Sequence, residues 1–229
     1  MTAIPKRQQN RIEREKRILR AALKVFSETG YSGANMDSVA FEAGLSKPTL
    51  YQYFESKEAL FSAMMLDERD RMIDVFQHPS HEGVVRDLLS FAWDYADTVL
   101  RPDMLSLARL IIGEVQRFPE IGRAYQEVGP DRLLSGIMTY LDGQRRHSRL
   151  EFEDTELAAE DLWGLILSAP RTKALYMPDR QPTRAELARY IHNGLRVFLK
   201  AYSTQPANDV AELDRLMDTQ PSRQVEDDD

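Results

Sequence analysis

Apolar residues recur at three- and four-residue spacing along most of the chain, and strict alternation is nearly absent, so the pattern predicts an all-α protein. In the first helix, from Arg11, the apolar face is Ile18, Leu19, Ala22, Leu23, Val25 and Phe26, and Gly30 supplies the stop. Asn35 can cap a short second helix over 36–43, which Gly44 ends, and Ser46 can cap a third over 47–54. Ser56 opens a fourth that runs through Ala59, Leu60, Ala63, Met64 and Ile73 to Gln77, before the His78-Pro79 break. Further helices are expected at about 81–100, 103–117, 120–128, 131–147, 155–169 and 184–202, separated by proline, glycine and aspartate punctuation. Beyond Ser203 the chain is polar, carries Pro206 and Pro221, and ends in four acidic residues, so 204–229 is expected to be a disordered tail.

The second and third helices make a helix-turn-helix. Gly44 takes the left-handed conformation that ends one helix, Leu45 plugs the angle, and Ser46 caps the next, while Pro48 falls where a missing N–H costs nothing. With Leu50 pointing inward, a rotation of about 100° per residue puts Phe54 roughly 40° from it, and Pro48 and Gln52 on the far side. Thr49 and Tyr51 flank that outer face, and Lys47 stands at its amino end. Such a face suits hydrogen bonding to base edges and phosphates, although an ordinary helical corner has the same backbone.

Charge sharpens the choice. Residues 1–24 hold eight basic side chains against two acidic ones, a balance of +6 that leaves −13 for the rest of a chain whose formal charge is −7. A basic end meeting a polyanion and an acidic body repelled by it would orient the approach to nucleic acid; a solvated arm or a membrane-surface helix is the other reading. The absence of cysteine excludes disulfides, thiolate metal sites and thiol catalysis. No apolar run is long enough to span a bilayer and the first 24 residues are charged, so no membrane partner and a cytoplasmic location are expected. His78, His81, His147 and His192 are scattered, and no P-loop, dinucleotide fingerprint or nucleophile elbow is present, so neither metal nor cofactor is expected and an all-α enzyme is the disfavoured class.

The stretch Ile18 to Ala63 resembles the amino-terminal DNA-binding domain of the TetR/AcrR family of transcriptional regulators. The likeness lies in Phe26, Gly30-Tyr31, Val39-Ala40, Ala43-Gly44, Leu50 to Phe54, and Lys57-Glu58 with Leu60. Leu105 to Ala124 is similar, more weakly, to the carboxy-terminal domains of the AefR-like branch. The resemblance implies a basic arm over 1–17, a DNA-binding head over 18–66, a dimerising and effector-binding body over 67–203, and the tail. It implies base contacts from Lys47, Pro48, Thr49 and Gln52, and phosphate contacts from Tyr51, Tyr53 and Lys57. Position 53 is often histidine in the family, so Tyr53 stands between packing and phosphate contact. The implied function is a homodimeric, effector-responsive regulator of a double-stranded operator, a repressor first and an activator second.

In the body, Trp93, Leu107, Ile111, Phe118, Tyr125, Tyr140, Trp163 and Tyr176 are candidates to line a pocket for an unidentified small apolar or aromatic effector, or else simply to pack. Thr183 and Glu186 form a capping box opening the last helix, whose stripe Leu187, Ile191, Leu195 and Phe198, with Leu162 and Ile166, is the candidate dimer interface.

Overall fold

The computed structural model describes residues 6–72 and 83–219. The helices are α1 (Lys6–Gly33), α2 (Met36–Glu42), α3 (Lys47–Tyr51), α4 (Lys57–Met72), α5 (Val84–Val99), α6 (Pro102–Glu114), α7 (Pro119–Val128), α8 (Pro130–Arg146), α9 (Thr155–Tyr176), α10 (Arg184–Tyr202) and α11 (Pro206–Thr219). No strand occurs among the described residues, and the pattern's all-α expectation is met. The expected run of the fourth helix to Gln77, the start of the next at 81, and the last ten residues lie outside the described part.

The chain divides into two compact units, Met1–Met72 with Arg101–Arg132, and Ile73–Leu100 with Leu133–Asp229. The division is not the linear one expected from sequence, because α6 and α7 join the head. Their Leu107, Leu110, Ile111 and Ile121 complete the core formed by Ile18, Phe26, Tyr31, Leu50, Leu60 and Phe61. Tyr31 centres that core, edge-on to Phe61 at 5.3 Å and to Phe118 at 5.1 Å. Aromatic edges of positive potential meet ring faces of negative potential in such pairs.

The second unit is built on α9 and α10, with α5 and α11 packed against them. Leu162, Ile166, Leu187, Ile191, Leu195 and Phe198 are all buried inside this single chain. Their assignment to the dimer interface is therefore corrected: the stripe is apolar because α9 and α10 cover each other. Helix α9 also runs past its expected end at 169, through Pro170 to Tyr176.

Disorder of the tail is corrected for 206–219, which form α11. Leu213 is fully buried, and the buried Asp209 carboxylate receives Arg149 Nη2 at 3.1 Å and Ser203 Oγ at 2.6 Å. Thr204 N–H and Oγ1 bond the carbonyls of Arg149 and Ser148, tying the start of α11 to the α8–α9 loop. A polar segment is ordered here because a buried carboxylate with a cationic partner is costly to break.

Candidate nucleic-acid interface

The helix-turn-helix is fixed by local chemistry. Asn35 Oδ1 accepts the Ser38 N–H at 2.9 Å, and the Ser38 side chain returns the bond to the Asn35 backbone. Gly44, at φ +62°, ends α2: its N–H goes to Phe41 O and that of Leu45 to Ala40 O, which satisfies the last carbonyls. Ser46 caps α3 through the Thr49 N–H.

On this frame Leu50 is fully buried and Phe54 nearly so, whereas Lys47, Pro48, Tyr51 and Gln52 are exposed. The outward face expected from rotation is thus present. Thr49 is half-buried, and its hydroxyl shares a hydrogen bond of 2.8 Å with Ser46 Oγ, which leaves its methyl group and the hydroxyl's remaining capacity for contact. Tyr53 is half-buried against the core, its ring 6.5 Å from that of Phe54.

Both lysines among the candidate DNA contacts are already engaged. Lys47 Nζ lies 2.9 Å from Asp37 Oδ1 and 3.0 Å from Oδ2, and that carboxylate raises the lysine's pKa by accepting its hydrogen bond. Lys57 Nζ donates to Tyr31 O at 2.8 Å and Ala34 O at 3.3 Å, and sits 4.3 Å above the Tyr31 ring. Lys57 is therefore a clasp between the start of α4 and the α1–α2 turn, a role that spacing could not reveal. Its neighbour Glu58 has its carboxyl pKa lowered by accepting a backbone N–H of that first turn and by Ser56. Lys57→Ala is expected to destabilise the protein by about 2 kcal/mol, the scale of charge-assisted bonds to buried carbonyls. Thermal unfolding checks this, and an unchanged midpoint would dismiss the clasp.

The same turn is held from α6. Glu114 Oε1 accepts the Ser32 N–H at 3.1 Å, and Arg117 Nη1 donates to Ser32 Oγ at 3.2 Å. These partners are more than 80 residues apart in sequence, so nothing local signals them.

The eight pocket candidates divide between the units. Leu107 and Ile111 are core residues of the first unit, with Phe118 and Tyr125 packed against them, so their assignment to an effector pocket is corrected to packing. Tyr176 is 81% exposed and is corrected to a surface residue. In the second unit Trp163 Nε1 donates to Tyr95 Oη at 2.5 Å, Tyr140 Oη donates to Asp87 at 3.1 Å, and burial pushes the Tyr140 phenol upward. Trp93 is buried with the Arg184 guanidinium 3.7 Å from its ring centre, and its Nε1 has no hydrogen-bond partner among the described residues.

An all-α chain that presents a short capped helix on a helix-turn-helix belongs to the class of DNA-binding transcriptional regulators. Residues 18–64 match the bacterial regulatory proteins of the tetR family, and 86–204 match the AefR-like transcriptional repressor C-terminal domain. The regulator UidR of Escherichia coli K12 is 41% identical over 68 residues, which are 30% of this chain and 34% of UidR. The chain thus matches about a third of the length of such curated relatives. Among solved structures, a TetR-family regulator from Mesorhizobium loti is 29% identical with a TM-score of 0.75, over 84% of this chain and 98% of that one. The flavonoid-responsive regulator FrrA is 30% identical with a TM-score of 0.68, over the same shares. The chain belongs to the TetR family of regulators, and its C-terminal domain is of the AefR-like type.

Proposed function

We propose that this regulator is a homodimeric repressor that binds a pseudo-palindromic operator and releases it when a small apolar or aromatic effector enters its C-terminal domain. The observation that carries the reading is the outer face of α3, where Lys47, Pro48, Tyr51 and Gln52 are exposed on a helix locked by Leu50 and the Ser46 cap. Lys47, Pro48, Thr49 and Gln52 read base edges, while Tyr51 and the Tyr53 hydroxyl bond phosphates. Lys57 adds a phosphate contact through its remaining N–H. The repressor sense is supported by the AefR-like repressor domain matched over 86–204. A DNA-bound role supports a place of action in the cytoplasm.

The effector side rests on Trp93, Tyr140 and Trp163 of the second unit. The unpartnered Trp93 N–H is a buried donor, and a buried donor without an acceptor favours a ligand that supplies one. The name of FrrA, a flavonoid-responsive protein, supports an aromatic ligand class. Selection of bound sequences from random duplex DNA, repeated with flavonoids and other aromatic compounds, tests the reading. Inverted half-sites about 34–36 Å apart, or a multiple of that, are expected from a two-fold dimer. Selected sites without an inverted repeat would contradict it.

A further inference from the structure

The acidic neighbour of the α3 face is Asp37, in the first turn of α2. Both of its carboxylate oxygens lie within 3.0 Å of Lys47 Nζ, and the two side chains are 62% and 55% exposed. A carboxylate in that place is unfavourable for DNA binding, because a duplex carries one negative charge for about every 1.7 Å of its axis. An acid in the first turn of a helix has a modest structural use, but that use does not require contact with Lys47.

We propose that Asp37 is a specificity-determining residue that restrains non-specific DNA binding by holding Lys47. The proposal rests on the reading of α3 as the DNA-facing helix. On DNA without the operator sequence, no base edge compensates Lys47 for leaving Asp37, so the pair stays closed and withholds one cation from the phosphates. On the operator, α3 seats deeply, Lys47 exchanges Asp37 for acceptors on the DNA, and the ion pair is replaced by contacts of at least equal strength. The pair therefore weakens binding chiefly where the sequence is wrong. Discrimination is a difference of affinities, and a repulsive group against the wrong partner serves it as well as an attractive one toward the right partner.

The test uses the full chain, its selected operator, and a random-sequence duplex of equal length, over a series of salt concentrations. Asp37→Asn is expected to tighten binding to the random duplex about two- to fivefold, the worth of one exposed ion pair. Its log–log salt slope there should steepen by about 0.9, as one more phosphate contact requires. Operator affinity should change less, so the specificity ratio falls. Adding Lys47→Ala to Asp37→Asn should abolish the gain, and Asp37→Glu, which keeps the charge, should retain the wild-type ratio. A merely structural acid would move the melting temperature and leave the salt slope alone. An unchanged slope and unchanged affinity for random duplex in Asp37→Asn, or an equal loss on both duplexes, would overturn the proposal. If Asp37→Asn fails to fold, Asp37→Ser supplies the same comparison. Failure of the wild-type chain to select any operator would instead overturn the reading of the α3 face itself.

Discussion

Gly194→Ala should unfold the second unit at a markedly lower temperature than wild type. Gly194 is buried on α10, where that helix crosses α9. A Cβ built there would meet the Leu165 carbonyl oxygen closer than any real contact, with Leu165 C at 2.8 Å and Ile166 N at 3.2 Å. These are backbone atoms inside a hydrogen-bonded helix, so relief requires the two helices to separate and the packed stripe of Leu162, Ile166, Ile191 and Leu195 to loosen with them. A cost of about 3 kcal/mol is expected, the upper part of the usual range for overpacking. For a chain of this size that lowers the midpoint by roughly 6–12 °C. Gly143→Ala is the control. It lies on α8 with nothing within 4 Å of its Cβ, so the substitution should stabilise by up to about 1 kcal/mol through helix propensity. Equal midpoints for the two variants would show that the close crossing has no energetic consequence.

What could be read beforehand follows the range of the interactions. The helices of the head were legible because caps and stops act over four or five residues: Asn35 with Ser38, Gly44 with Phe41, and Ser46 with Thr49 are local bonds with local signatures. The outward turn of Pro48 and Gln52 likewise needs only the helical period and one inward anchor. The engagement of Lys47 by Asp37 and of Lys57 by the Tyr31 carbonyl depends on how α2 packs on α3 and α4 on α1, which no short window carries. The tail was misread for a related reason. Its composition is that of a soluble linker, and its order hangs on Asp209 meeting Arg149, 60 residues away. An apolar stripe, finally, reveals that a helix face is covered and not which chain covers it, so Leu187, Ile191, Leu195 and Phe198 could be seen as buried but not assigned to a neighbour within the same chain.

That last correction relocates the proposed dimer interface, and with it the second large effect. With their inner faces used by each other, α9 and α10 leave outer faces on which Leu157 is 58% and Val197 44% exposed, with Gly164, Ser168 and Thr172 also open on α9. Exposed Glu156 and Glu160 lie on α9, and exposed Arg189, Arg196 and Lys200 on α10. A two-fold axis would set α9 of one protomer against α10 of its partner, joining acid to base twice, while Gly164 and Ser168 allow the helices a close approach. Leu157→Glu combined with Val197→Glu should therefore yield a folded monomer, seen as a halved mass by light scattering with an unchanged circular dichroism spectrum. Because two linked heads gain an effective concentration that separate heads lack, affinity for a two-half-site operator should fall by about 10²- to 10⁴-fold. Affinity for a single half-site should stay as it was. Leu195→Ala should behave in the opposite way, lowering stability by about 2–5 kcal/mol as a buried cavity does while leaving the folded fraction dimeric. A double glutamate variant that remained a dimer would place the interface elsewhere, and the loss of operator affinity should then vanish with it.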